Sequence, residues 1–451
     1  MNREIRMSYA RGLSPLRIAA ASSLLWVWGA GGAFAQDEST NPQTRQGLDM
    51  DLIGGISTSD NIARVPVDEE DGTITSLGTR LTYLQDTRRI KADVDVDANY
   101  QRYSDDVFDD DVVGGANAKL TLGVLPEKFL WQFEENFGQL VSDPFAAETP
   151  ENRENINYFT TGPDLLFKVG GAFSLNVGAR YSDVAYETSN ADGHNYGGFI
   201  ALNREISSVS HLSLNLDGRR YEFDDQVVNP AYDRYQAYLG YTLNGSRTEL
   251  VAEAGYTQLE QGDEKPDGML ARLSVTRRLS RSALLSLSFG QEFSAAGDQF
   301  RFGQDMNGSG SSTSSVLASG DPFTNRYATL RYEFDRNRTT VGASVQFESE
   351  RYETSTDQDR DLMRYSVYAR RQLSPVIELS IFGELESQDF RNTNFEDDDL
   401  RAGAYLNWMV GRLVALRFQF DHFDYDTTLV GSEFTENRAT LFMIWSPLQR
   451  R

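Results

Sequence analysis

The sequence predicts an all-β fold: a transmembrane, antiparallel, up-and-down β-barrel of about 20 strands, with both termini on the periplasmic side. Three observations carry that reading. From Gly47 onward the chain repeats one unit, roughly ten to fourteen residues of alternating apolar and polar character followed by a break. The breaks alternate between short and long. An export signal precedes the first unit.

The signal occupies residues 1–35. Arg3, Arg6, Arg11 and Arg17 form its basic start, Ile18 to Trp28 its apolar stretch, and Ala33-Phe34-Ala35 a small-x-small cleavage site before Gln36 and Asp37. A membrane anchor is the competing reading, but the apolar core is short and nothing apolar follows it. Residues 36–45 read as a short polar periplasmic tail and 46–451 as the barrel, with no second domain. Mean hydropathy is −0.48, a value that suits soluble proteins. A barrel crosses the bilayer with alternate residues only, so its average stays equally low.

The units begin near Gln46, Thr75, Arg88, Val112 and Phe129, then near Ile156, Ala172, Asn195, Ser210 and Tyr235. Further starts fall near Thr248, Gly268, Ala283, Asn325 and Thr339, and near Leu362, Val376, Leu400, Leu413 and Asn437. If the first unit or the one near Asn195 is not a strand, the count is 18. The alternation is clearest from Ile90 to Tyr100. There Ile90, Ala92, Val94, Val96, Ala98 and Tyr100 take one face and Lys91, Asp93, Asp95, Asp97 and Asn99 the other. Phe173 to Tyr181 repeats the pattern, as do Leu212, Leu214 and Leu216 against Ser213, Asn215 and Asp217. Val341, Ala343, Val345 and Phe347 alternate with Gly342, Ser344, Gln346 and Glu348.

A soluble sandwich would also alternate. Its strands are shorter, usually about 5 or 6 residues against roughly 9 to 11 for a tilted membrane strand. Its connections also lack the regular contrast seen here. Leu125 to Lys128, Gly170-Gly171, Asn244 to Ser246, Ser374-Pro375 and Gly411-Arg412 are short; 58–73, 142–155, 224–233 and 295–321 are long and polar. Short periplasmic turns and long outer loops form the outer-membrane pattern. The 21 Tyr and 26 Phe suit aromatic girdles at the two interfaces.

With the polar face inward, outward-running strands carry acids. These are Asp93, Asp95 and Asp97, Asp217, Glu249 and Glu253, Glu348 and Glu350, and Glu378, Glu384 and Glu386. Returning strands carry bases: Arg80, Lys119, Lys168, Arg272 and Arg278, Arg331, Arg364 and Arg370, Arg401 and Arg438. Arg180 and Arg219 break the rule. Neighbouring strands then pair opposite charges, each matched pair contributing about 0.2 to 1 kcal/mol. Such a wall offers donors and acceptors without a strong net field. The surplus acid falls in or beside outer loops, at Asp68 to Asp71, Asp105-Asp106, Asp109 to Asp111 and Glu396 to Asp399. These runs suit solvated loops bridged to lipopolysaccharide by divalent cations, or a rim that repels small anions.

Several chemistries are excluded. There is no cysteine, hence no disulfide or thiolate. A net charge of −24 argues against nucleic acid as a partner. The three histidines are His194, His211 and His422, and only His422, among Asp421, Asp424 and Tyr425, has acid neighbours of any interest; an ordinary rim residue is the simpler reading. No nucleophile elbow, phosphate loop or zinc-protease motif occurs, so no catalytic group, cofactor or metal site is expected, nor an enzyme. The Gly/Ser-rich segment 306–320 reads as a flexible loop.

One stretch carries a family likeness. Trp131-Gln132-Phe133-Glu134-Glu135-Asn136-Phe137-Gly138 is followed by Asp143-Pro144, Thr149-Pro150-Glu151-Asn152-Arg153 and Asn157. Thr160-Thr161-Gly162-Pro163 and Gly178-Ala179-Arg180-Tyr181-Ser182 complete it, and Leu52 to Ser59 with Asp60-Asn61 fits as well. Together these resemble the β-barrel porin family of Proteobacteria whose members are often encoded with exopolysaccharide synthesis and export genes. The specific part is residues 129–187. The resemblance implies an outer-membrane conduit for secreted polysaccharide, with lipid, lipopolysaccharide and periplasmic polysaccharide-export proteins as partners. The ending departs from the common pattern, since Ser446 to Arg451 follow Phe442-Met443-Ile444-Trp445 where many barrels stop on an aromatic residue. The competing expectations are a general diffusion porin for small hydrophilic solutes and a structural or adhesive surface barrel.

Overall fold

The structure is a computed structural model that describes residues 46–104, 107–143, 145–146, 149–307 and 314–448. The expected signal and tail lie outside the described residues, as do Asp105 and Asp106.

Strands β1 (Gln46–Ser59), β2 (Gly72–Asp86), β3 (Ile90–Tyr103), β4 (Asp111–Leu125) and β5 (Phe129–Val141) open the chain. Next come β6 (Arg153–Val169), β7 (Phe173–Tyr186), β8 (Gly193–Ser207), β9 (Ser210–Phe223) and β10 (Tyr232–Asn244). They are followed by β11 (Thr248–Glu260), β12 (Asp267–Arg278), β13 (Ala283–Ser294), helix α1 (Ala296–Asn307) and the short β14 (Ser314–Leu317). The chain continues with β15 (Phe323–Arg336), β16 (Thr339–Tyr352), β17 (Arg360–Ser374) and β18 (Ile377–Phe390). It ends on β19 (Phe395–Met409), β20 (Val414–Thr427) and β21 (Phe434–Trp445).

Each long strand pairs antiparallel with its neighbours in the chain, β13 pairs directly with β15, and β1 pairs with β21 to close the ring. The ring therefore holds 20 strands, the larger of the two expected counts. Even parity puts the first and last strand ends on the same rim, together with turns such as 126–128, 170–172 and 375–376. Gly170 sits at φ 73°, a left-handed turn position where a side chain is strained.

The seam is shorter than its neighbours. β1 matches β2 from Gln46 to Ser59 but matches β21 only from Leu52 to Ser59. Near the loop rim Ser57 and Thr440 hydroxyls bond at 2.9 Å and Ser59 donates to Glu436 at 2.7 Å.

The apolar parity faces outward. Leu214, Leu239 and Ile381 are exposed, while the opposite parity buries Ser57, Ser76, Asn136 and Glu350. Outward aromatics form two belts. Tyr100, Tyr181, Tyr196, Tyr235 and Tyr256 ring the loop side; Phe167, Phe173, Tyr241, Tyr332, Trp408 and Trp445 ring the turn side. Amphipathic rings settle at the two headgroup levels of a bilayer, and the aliphatic band lies between them.

Two expectations need correction. The ring strands run from 12 to 17 residues, somewhat beyond the ten to fourteen of the sequence units, because the wall continues beyond the aromatic belt on the loop side. There Arg220 pairs with Glu222 and Asp233 on the outer face, a charge cluster that belongs in water. For the same reason Glu396 to Asp399 are strand rather than loop, with Asp397 opposite Gln388 in β18. The second correction concerns 295–321. It is not an open polar loop: among its described residues, α1 and β14 fold into the barrel.

Candidate functional site: a constriction inside the barrel

The segment between β13 and β15 begins with Ala296 and Phe300, spaced i,i+4 on one face of α1. Both are fully buried in an apolar cluster with Leu140 of β5, Ile156 and Tyr158 of β6, and Tyr186 of β7. Burial of Phe300 alone contributes about 1.5 to 3 kcal/mol to docking. Beyond the helix, β14 pairs parallel with β5, and Leu317 packs on Phe390 of β18 and Phe395 of β19. Contacts to inward positions from β5 round to β19 require α1 and β14 to lie within the lumen.

The polar side of α1 fixes its seat. Asp298 accepts hydrogen bonds from the Tyr158 hydroxyl at 2.8 Å, the Tyr221 hydroxyl at 2.6 Å and Arg234 at 3.1 Å. Arg219 stands 3.7 Å away. Burial alone would push the Asp298 carboxyl up, but Arg234, Arg219 and Arg301 outweigh it and hold the group well below the usual carboxylate range. Arg301 faces Glu134 of β5 at 3.8 Å. On the far side Gln299 donates to Glu348 at 2.6 Å and to Glu350 at 2.9 Å, and Glu350 is paired with buried Arg360 at 2.8 Å. One helix thus ties β6, β9 and β10 to β16.

The ladder residues lie at inward-facing strand positions, yet they do not form one network. Arg272 meets Glu253 at 2.9 Å and also Glu292. Arg364 pairs with Glu386 directly opposite, and Glu384 stands 3.9 Å off. Arg401 is opposite Glu384 in register but pairs with Asp421 at 3.2 Å. Its guanidinium lies between the rings of Phe382 on β18 and Phe423 on β20. Arg438 pairs with Glu436 on its own strand rather than across it. Asp95 accepts from Thr82 at 2.8 Å, Asp97 lies opposite Arg80, and Asp93 lies opposite Lys119. Glu348 holds the helix, Glu378 receives a long contact from Asn407 at 3.5 Å, and Asp217 lines a cavity beside α1. Glu249, Arg331 and Arg370 sit toward the turn rim, away from the constriction. His422 shares the outward parity of Phe418 and Phe420 and contacts Asn437 at 2.9 Å, so it does not face the lumen.

Sequence reading missed Asp298, Gln299, Phe300 and Arg301, and it set Arg219 aside as an exception. The available signal was the Ala296/Phe300 spacing with an acid between, inside a stretch otherwise read as loop.

Closed ring, outward apolar band, two aromatic belts and polar interior together decide the class. The chain is an outer-membrane β-barrel. No family model matches it, and no curated protein sequence does either. Among solved structures it is similar to the siderophore receptor PirA from Pseudomonas aeruginosa, at 11% identity over 89% of this chain and 81% of that one, TM-score 0.47. It is also similar to the FrpB iron transporter from Neisseria meningitidis (F5-1 variant, apoprotein form), at 8% identity, covering 89% and 81%, TM-score 0.44. OccAB4 from Acinetobacter baumannii matches at 13% identity over 90% of this barrel and 100% of its own chain, TM-score 0.38. These likenesses concern barrel architecture.

Proposed function

We propose that this barrel is a channel for hydrophilic carbohydrate, with an exopolysaccharide strand on its way out of the cell as the cargo. The observation that supports it is the inner wall. Its charges are largely matched within the wall, as at Arg272 with Glu253 and Glu292, and Arg364 with Glu386. Matched charges leave many donors and acceptors but little field to arrest a chain sliding past. The resemblance of residues 129–187 points to the same cargo. In this reading the long loops face outward and the short turns face the periplasm, where export proteins would dock.

A second reading has an observation of its own. Helix α1 and strand β14 lie in the lumen, and that suits uptake of single small solutes unless they swing aside for a polymer. A clean deletion separates the two when scored for cell-surface polysaccharide and for small-sugar uptake. Lost surface polysaccharide with normal uptake supports export. Normal polysaccharide with impaired uptake overturns it in favour of a diffusion porin.

A further inference from the structure

Beside α1 the barrel wall encloses a cavity of about 240 Å³. That is the space of about eight waters, enough for one small polar ring. Its floor is a patch of two strands. Asn215, Asp217 and Arg219 stand in line on the inward face of β9, next to Gln236 and Tyr238 of β10.

Two of these groups have unspent capacity. Asp217 accepts no hydrogen bond among the described residues. Arg219 reaches only Asp298, at 3.7 Å, and makes no hydrogen bond among the described residues; its Nε is buried without a partner. A carboxylate and a guanidinium that make no hydrogen bond among the described residues, two residues apart on one strand face, differ from the hydrogen-bonded charge pairs elsewhere on the wall. An anion would be drawn to Arg219 and repelled by Asp217; a cation would meet the reverse. A neutral ligand with adjacent hydroxyls satisfies both, one hydroxyl donating to Asp217 and its neighbour accepting from Arg219. Asn215 and Gln236 add amides that donate and accept. Phe199 and Tyr238 supply the apolar wall that a ring's C–H edge needs. Phe199 lies over Gly178, where any Cβ would collide with its ring.

We propose that this cavity is a saccharide subsite that holds one neutral, polyhydroxylated ring beside the constriction. The proposal rests on the carbohydrate-channel reading and names where the cargo touches the wall.

The test uses the full barrel, refolded in detergent, titrated calorimetrically with glucose, maltotriose, glucuronate and acetate. Glucose or maltotriose should bind, with glucuronate weaker and acetate silent. Asp217→Ala, which removes no bond from the wall, should weaken binding about tenfold, the loss expected when a polar contact in a shielded site goes unmade. Phe199→Leu should weaken it severalfold while keeping the apolar bulk. Both variants are checked for folding by heat-modifiable gel mobility. No sugar binding to the folded wild type overturns the proposal, as does equal binding by the wild type and both folded variants. Glucuronate binding tighter than glucose overturns it in favour of an anion site. Planar-bilayer conductance, read separately, distinguishes the two ideas: a conducting pore that binds no sugar removes the subsite alone, and a barrel that binds sugar but never conducts removes the channel alone.

Discussion

Replacing Asp298 by Ala should release α1 from the wall. The carboxylate accepts bonds from Tyr158, Tyr221 and Arg234 and neutralises Arg219 from 3.7 Å. Its removal strands two guanidinium groups in a buried site, a change that costs about 3 to 5 kcal/mol when a buried pair is broken. At about 1.4 kcal/mol per decade, the docked-to-undocked ratio falls by about two to three and a half orders of magnitude. Phe300 and Ala296 still favour docking, so the helix should exchange between states rather than vanish into solution. The ring itself should be unaffected, since none of its ladders includes α1. Limited trypsin digestion of the refolded variant should cut after Arg301, a bond shielded in the wild type, and planar bilayers should show larger and noisier conductance. Asp298→Asn should lie between the two, because the amide oxygen still accepts from the tyrosines. A folded Asp298→Ala barrel with Arg301 protected and unaltered conductance would refute both the latch and the constriction. The sign of the pH dependence follows from the depressed carboxyl. Its stabilisation is fully present above the unfolded value of about 3.9 and is lost only as pH falls through the lower folded value. Acidification to about pH 4 should therefore leave α1 seated, read by the same trypsin assay.

The other expectations concern the wall. The triple variant Glu378→Gln, Glu384→Gln, Glu386→Gln should assemble, at about 0 to 1 kcal/mol per lost pair, and shift planar-bilayer selectivity toward anions as Arg364 loses its partners; unchanged selectivity would mean these acids do not line the conducting path. Val94→Arg or Leu214→Arg, on the lipid face, should hamper assembly by about 2 to 4 kcal/mol near the midplane, whereas inward Asn99→Arg should be mild. Equal damage to folding yield from both classes would reverse the facing. Asp110→Cys should react with an impermeant maleimide on intact cells, and Ser374→Cys or Gly245→Cys only after the outer membrane is opened; labelling of both sets on intact cells would invert the topology.

What was legible in the sequence follows from how far each interaction reaches. A membrane strand advertises itself locally, because water inside and lipid outside impose opposite demands on consecutive residues. Ile90 to Tyr100 states that demand without help from any other segment, and closure then follows from pairing each strand with the next. The helix has no such local signature. Ala296-Gly297-Asp298-Gln299-Phe300-Arg301 shows only one apolar i,i+4 step, broken by Gly297, and its seat is made by Tyr158 and Arg234, respectively 140 and 64 residues earlier in the chain. Charge partners are legible only in part. Register alone matches Arg364 with Glu386 correctly, yet it matches Arg401 with Glu384, whereas Arg401 pairs with Asp421 of β20. Arg219 looked like an exception on an acid-bearing strand because the acid it faces belongs to a segment folded inward.

The unequal lengths of the two ladders on β1 make the ring mechanically uneven. Most interior strands are gripped along nearly their whole length on both sides, with 111–115 of β4 and 267–270 of β12 as exceptions inside the ring. The stretch Gln46 to Asp51 has its ladder along β2, and on the other side Ser446 donates to Asp51. Fraying of the hoop therefore begins there, at the rim of the chain ends, and runs upward until it meets the hydroxyl and carboxylate contacts of Ser57 and Ser59. The barrel resembles a zip fastener fixed at one end: sideways tension opens the lower teeth and leaves the upper ones engaged.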